Sequence, residues 1–386
     1  MIELLRDCIG FACLLAAALG SAYALVAALL VSRRSAAPVS ARGAQPGVSI
    51  LKPLRGAESA LHANLATFCA QDYAGPVQLL FGVEDESDPA VEVVRRLQRE
   101  WPPADTALVV TGPARGPNPK VATLVGLEPH IRHPIVVLAD SDIAVPRDYL
   151  SRIVHALGAP EVGLVTCLYR GIATSGPWSK LAAMAIDMHF LPGVLVGLEL
   201  RLARPCFGST IALPRELLVR IGGFDAFRAH LADDHAIGAA VRATGLRVAI
   251  PDFVVDHTCA ERTFAELARH ELRWARTIRA VDPAGHVGSV LTHALPLSLI
   301  GAAAAGASAT ATTIVATAFA CRLVLALAVD HTLASPAKRW PLVPVRDVIS
   351  FAIYAASFCV GVVTWRGRRY RVRADGTLAA LGESNS

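Results

Sequence analysis

Asp140-Ser141-Asp142 follows the apolar run Ile135-Val136-Val137-Leu138-Ala139, so a strand delivers two carboxylates, one residue apart, at its carboxyl end. Such a pair can share one hard divalent cation. Mg2+ or Mn2+ prefers oxygen ligands and fills its remaining positions with water or substrate phosphate. A cation there could neutralise a diphosphate leaving group as the bond to it breaks. A second acidic pair, Asp233-Asp234-His235, follows Gly222-Gly223-Phe224-Asp225 and opens the helical pattern Ala236, Ile237, Ala240, Val241. One of these aspartates can serve the helix N-terminus. The other is then free to act as a general base on an acceptor hydroxyl.

Three further places carry candidate chemistry. Asn118-Pro119-Lys120 reads as an N-cap, a proline at N1 and a lysine in a first turn whose free N–H groups attract anions. An ordinary capped helix with a solvated lysine fits the same residues. After the run Leu79-Leu80-Phe81-Gly82-Val83 comes Glu84-Asp85-Glu86-Ser87-Asp88. Asp88 before Pro89 is explained as a helix start, whereas Asp85 has no local duty and divides between ligand contact and a solvated turn. Thr263 and Glu266 stand at capping-box spacing and begin a helix bearing Arg269, His270, Arg273, Trp274, Arg276 and Arg279. That helix suits a membrane surface, or it brings guanidinium groups to phosphate.

The elements that must position these residues alternate. Residues 48–51, 77–83, 107–110, 135–139 and 162–166 read as strands, and 57–70, 89–101, 119–129 and 146–157 carry helical spacing. Alternation of this kind predicts an α/β fold with a mostly parallel sheet and helices on both faces, binding ligands at the carboxyl ends of its strands.

Composition places this domain between membrane segments. Hydrophobic residues make up 53% of the 386 and charged residues 18%, with a mean hydropathy of +0.45, more apolar material than one soluble core needs. Residues 9–31 carry no charge and are long enough to cross a bilayer, beyond the usual length of a cleaved signal core. Arg33, Arg34 and Arg42 follow this anchor, so the positive-inside rule puts the next domain in the cytoplasm. Residues 287–329 hold a single charge, Arg322, and fit two spans or one span with a re-entrant piece, with 349–365 a further short candidate. Three crossings would put the arginine-rich tail outside, so one of these segments is expected to lie in the interface. The resulting division is an anchor over 1–34, a linker over 35–47, a catalytic domain over 48–285, membrane segments over 286–366 and a basic tail over 367–386. Eight cysteines without a CxxC pair give no zinc signal and read as reduced structural thiols. The formal charge of +5 suits an anionic membrane or substrate.

Taken in order, Ser49-Ile50-Leu51-Lys52-Pro53-Leu54, Val83-Glu84-Asp85, Asp88-Pro89-Ala90, Asn118-Pro119-Lys120, Asp140-Ser141-Asp142-Ile143, Gly208-Ser209, Asp233-Asp234 and Arg273-Trp274 resemble the ceramide glucosyltransferase family, glycosyltransferases of GT-A fold. The resemblance runs from about residue 48 to 274 plus the flanking membrane segments. It implies that Asp85 contacts the nucleotide, that Asp140 and Asp142 hold the metal and diphosphate, that Lys120 approaches the nucleotide, and that Asp234 is the base of a single inverting displacement. Arg273-Trp274 would end the family's (Q/R)xxRW motif and bind the nucleotide-sugar. His270 stands where that motif has Gln or Arg, and Asp233 where it has Glu. The acceptor region, 181–200 with Asp187 and His189, matches only loosely.

Bacterial relatives associated with hopanoid biosynthesis share this length and a tail similar to Trp365-Arg366-Gly367-Arg368-Arg369-Tyr370. That similarity implies UDP-N-acetylglucosamine as donor, a hopanoid acceptor (bacteriohopanetetrol), the bacterial inner membrane as location and no nucleic-acid partner. A ceramide-like acceptor with UDP-glucose is the alternative. Two other classes are weighed: a polysaccharide synthase, which needs more spans for export than the sequence offers, and a non-catalytic nucleotide-sugar sensor, against which both aspartate motifs argue.

Overall fold

The computed structural model describes residues 1–34, 45–58, 60–306, 308–335, 339–359, 362–365, 368–372 and 377–380. Most of the expected linker, residues 35–44, and Arg366 and Arg373 of the tail lie outside them. The chain divides into two compact units. One comprises Ala36–Thr174, Pro205–Ala260 and Val362–Ser386, the other Met1–Ser35, Ser175–Arg204 and Glu261–Gly361.

The first is an αβ unit. Its strands are β1 (Val48–Pro53), β2 (Val77–Val83), β3 (Asp105–Val110), β4 (Ile135–Leu138), β5 (Ile143–Ala144), β6 (Val162–Val165), β7 (Leu168–Ala173), β8 (Ile211–Pro214), β9 (Arg247–Ala249) and β10 (Val254–Cys259). Seven form one sheet in the order β3-β2-β1-β4-β8-β6-β9. β1, β2, β3 and β4 run parallel, and β8 is antiparallel to both β4 and β6. The period of two in the strands makes a core on each face. Leu79, Phe81, Val83 and Val137 pack with helices Leu61–Cys69, Ala90–Glu100 and Tyr149–Leu157. Their strand neighbours Leu80, Val136 and Leu138 pack with Val121 and Leu124 of helix Pro119–Leu127, Leu217 of helix Arg215–Arg220, and Ile237 and Val241 of helix Asp233–Ala243. A second sheet, β5-β10-β7, begins directly after Asp142. At the end of the chain Val362–Trp365, Arg368–Val372 and Leu378–Ala380 form an antiparallel sheet, where the sequence suggested the end of the short apolar candidate 349–365 followed by a basic tail.

The second unit is helical. Five of its helices are long and apolar enough to cross a membrane: Ile2–Ser32, Gly176–Glu199, Pro283–Ala305, Ala309–Thr332 and Trp340–Cys359. The first and the last three answer to the sequence expectation. Gly176–Glu199 was not expected as an apolar helix; it covers most of residues 181–200, which the resemblance marked as the acceptor region with Asp187 and His189. Both side chains are paired by residues distant in sequence: Arg339 Nη1 donates to Asp187 Oδ2 at 2.6 Å, and His189 Nε2 lies 3.0 Å from Asp347 Oδ1. Within the span expected as one catalytic domain, 48–285, residues 175–204 and 261–285 fall in the helical unit.

Candidate active site

Four segments of the αβ unit converge at the carboxyl end of β4. Asp140 leaves that strand and its backbone N–H donates to Gly208 O at 3.2 Å. Asn118 caps helix Pro119–Leu127, its Oδ1 accepting from Val121 N at 3.1 Å, as its place before Pro119 predicted. Capping fixes the first turn, and from there Lys120 Nζ reaches Asp140 Oδ1 at 2.8 Å and Asp233 Oδ2 at 3.0 Å. Gly222 and Gly223, with φ of 97° and 65°, turn the chain toward helix Asp233–Ala243. In its first turn Asp234 Oδ2 accepts from Gly208 N at 3.0 Å and Oδ1 from His235 N at 2.8 Å.

Gly208 is the centre of this arrangement. A Cβ there would stand 2.6 Å from Asp140 Oδ2 and 3.2 Å from Lys120 Nζ. The expected result of Gly208→Ala is a loss of transfer of about 10²-fold, because displacing reacting groups by about 1 Å costs that much. Thermal melting should move far less than the rate. A variant that keeps its rate would separate Gly208 from the chemistry.

The Asp140-Ser141-Asp142 backbone is clamped from behind. Lys52 Nζ donates to Asp140 O at 2.6 Å, Asn64 Nδ2 to Ser141 O at 3.2 Å, and Thr258 N to Asp142 O at 2.8 Å. Lys52 is fully buried over the Phe68 ring at 3.8 Å. Burial pushes its ammonium down to about 7 against the pull of Asp140 and Asp142. Lys120 is the reverse case: burial disfavours its charge, but Asp140, Asp233 and Asp234 outweigh that and hold the proton more tightly than usual. Burial, then the charge of Asp233, raises the Asp234 carboxyl to about 6, with Lys120 opposing.

Asp85 lies in the turn after β2. Ser87 N donates to its Oδ1 at 2.7 Å, a local duty the sequence did not disclose, and this bond holds the carboxyl below its ordinary range. Asp88 Oδ1 accepts from Ala90 N and Gly56 N, both at 2.8 Å, which starts helix Ala90–Glu100 as expected. Arg273 and Trp274 belong to the helical unit, on helix Phe264–Val281. Thr263 caps this helix by accepting from Glu266 N at 3.2 Å. Trp274 packs on His270 with ring centroids 4.3 Å apart, and His270 Nδ1 lies 2.7 Å from Glu261 Oε1.

The residues fit a cation that is completed by substrate. Among the described residues no group of three or more His, Cys, Asp or Glu converges on one point. Asp142 Oδ1 is buried without a hydrogen bond, the His257 Nδ1 atom being 3.6 Å away. Asp140, Asp142, Asp233 and Asp234 set four carboxylates against two buried lysines, Lys120 and Lys52. Excess negative charge and two oxygen donors match a divalent ion that takes its other ligands from phosphate and water.

Comparison with known proteins agrees with this geometry. The model of glycosyl transferase family 21 matches residues 12–378. The chain belongs to glycosyl transferase family 21. Among curated relatives of this family 21 chain, ceramide glucosyltransferase 1 of Caenorhabditis elegans is 26% identical over 239 residues, 62% of this chain and 51% of the relative. Ceramide glucosyltransferase of Komagataella phaffii is 33% identical over 131 residues, 33% of this chain and 25% of the relative. The family 21 chain thus spans about half the length, or less, of the relatives it matches. Among solved structures, the mannosyltransferase PcManGT from Pyrobaculum calidifontis in complex with GDP-Man and Mn2+ superposes with a TM-score of 0.50 at 21% identity, covering 92% of this chain and 99% of that one. The αβ unit has a GT-A-like fold.

Proposed function

We propose that this chain is an inverting glycosyltransferase that moves a sugar from a UDP-sugar to the hydroxyl of a membrane lipid. The observation that carries the reading is the junction of Lys120, Asp140, Asp233 and Asp234 around Gly208, beside an Asp142 oxygen that accepts no hydrogen bond. Lys120, at a helix N-terminus, attracts the donor diphosphate. Asp140 and Asp142 would hold Mg2+ or Mn2+, which supplies charge neutralisation for the departing nucleotide. Asp234 takes the proton from the acceptor hydroxyl as its oxygen attacks the anomeric carbon. Asp85, Arg273 and Trp274 contact the nucleotide-sugar in this reading. The catalytic domain faces the cytoplasm, with Arg33 and Arg34 after the first apolar helix supporting that side.

The donor and acceptor proposed are UDP-N-acetylglucosamine and bacteriohopanetetrol, supported by the resemblance to hopanoid-associated relatives and by the tail sequence. A second reading, glucosylceramide from UDP-glucose and ceramide, is favoured by the names of the curated relatives. Purified protein offered each donor with each lipid, with products identified by mass, decides between them. Glucosylceramide alone overturns the hopanoid assignment, and no product with any pair overturns the transfer reading for these substrates.

The Asp234 shift sets the pH dependence. A base must be ionised, and a carboxyl raised to about 6 loses its proton only above that value. kcat/KM is expected to rise about tenfold per pH unit below about 6 and to level above it. A profile flat down to pH 4.5 would remove Asp234 from the proton transfer.

A further inference from the structure

The helical unit carries buried charge, and its three most buried arginines, Arg322, Arg339 and Arg346, are paired with carboxylates. Arg322 Nε donates to Asp347 Oδ2 at 2.8 Å and Nη2 to Oδ1 at 2.7 Å. Arg339 pairs with Asp187 and Asp330, and Arg346 donates to both Glu271 oxygens at 2.8 and 2.7 Å. What stays unmatched beside the first of these pairs is an imidazole nitrogen. His189 Nε2 lies 3.0 Å from Asp347 Oδ1 and 3.2 Å from Arg322 Nη2, and its buried Nδ1 has no hydrogen-bond partner. If Nε2 accepts from Arg322, Nδ1–H is a donor without an acceptor. If Nε2–H donates to Asp347, Nδ1 is an acceptor without a donor.

His293 repeats the pattern. It is 5% exposed, its Nδ1 is buried without a partner, and its ring stands 5.8 Å from His189, 5.6 Å from Phe351 and 5.1 Å from Tyr354. Tyr23 Oη is a third buried atom without a partner. It lies 3.7 Å from where a Cβ on Gly193 would be, one helical turn along from His189. His189 itself sits in a π-helical turn, Ile186–Phe190, a departure that often marks functional sites in helices. Buried polar atoms are normally satisfied, so orphans clustered in an apolar unit call for a ligand or water.

We propose that His189, His293 and Tyr23 recognise a hydroxyl on the neutral polar head of the acceptor lipid. A hydroxyl both donates and accepts, so it satisfies the imidazoles in either tautomer and the phenol as well. The neighbouring guanidinium and carboxylate already neutralise each other, so a charged head would bring uncompensated charge into a low-dielectric site. The inference rests on the lipid-transfer reading for its occupant and adds the residues that select it.

The test measures binding without donor, so that it stands apart from turnover. Radiolabelled bacteriohopanetetrol and ceramide are bound to the full-length protein in nanodiscs, each against the same lipid with its hydroxyls methylated. Wild type is expected to prefer at least one free lipid over its methylated form. His293→Phe, which places an apolar ring beside Phe351 and Tyr354, and Tyr23→Phe, which removes one oxygen, should each reduce that preference roughly three- to tenfold. UDP-sugar affinity should stay within twofold. Full preference in both variants, or none in wild type, overturns the proposal and leaves these atoms to water alone. Preference without sugar transfer to either lipid would instead count against the function proposed above.

Discussion

Asp142→Asn is expected to lower transfer by at least about 10³-fold, since a cation at a diphosphate leaving group is worth several kcal/mol of transition-state stabilisation. Stability should respond little. Asp142 Oδ1 is buried with no hydrogen bond, and the side chain adds negative charge to a cluster that already holds Asp140, Asp233 and Asp234. Removing that charge relieves repulsion with Asp140 and gives up attraction for Lys52, so the melting temperature is expected to change little. A variant that is well folded and still turns over at the wild-type rate would sink the metal role assigned to this pair. Asp140→Asn makes a useful contrast, because it also removes an ion-pair partner of Lys120 and should cost both rate and stability.

Asp234→Asn is expected to reduce kcat by about 10²- to 10⁴-fold, the usual contribution of a positioned base. Its two oxygens accept from Gly208 N and His235 N. The amide can still accept one of these bonds, while its NH2 faces the other N–H, so the helix start should loosen slightly without unfolding. Because the donor is bound elsewhere in this scheme, its KM should change by no more than a few-fold. A fall in donor affinity that equals the whole loss in rate would make Asp234 a binding group instead of a base.

Much of the αβ unit was legible because its signals are local. Period-two apolar runs put Leu79 and Phe81 on one face and Leu80 on the other, and the Asn118 cap and the aspartates after β4 depend on neighbours in sequence. What escaped reading depends on distant partners. Gly208 was noted only as part of a resemblance, because a glycine in a short turn gives no sign that Asp140, Lys120 and Asp234 close around it. Asp233 was read as serving its own helix, whereas it also holds Lys120 from another segment. Lys52 had a visible signal, a lone cation inside a strand, but its role needs the Asp140 carbonyl beside it. Helix Gly176–Glu199 was not expected as a span, because the partners of Asp187 and His189, Arg339 and Asp347, lie more than a hundred residues away in sequence.

The buried ion pairs of the helical unit also constrain how the chain is made. Arg322 and Asp347 sit on consecutive helices, Ala309–Thr332 and Trp340–Cys359, so their charges meet within one helical hairpin. Inserted singly, each would carry a penalty of about 2.5–3.5 kcal/mol at mid-helix. Asp187 is synthesised long before Arg339 and must wait some 150 residues for its partner. The Asp187–Arg339 pair therefore cannot form during synthesis until the last apolar helix is being made, so the order of the sequence sets the order in which these charges are neutralised.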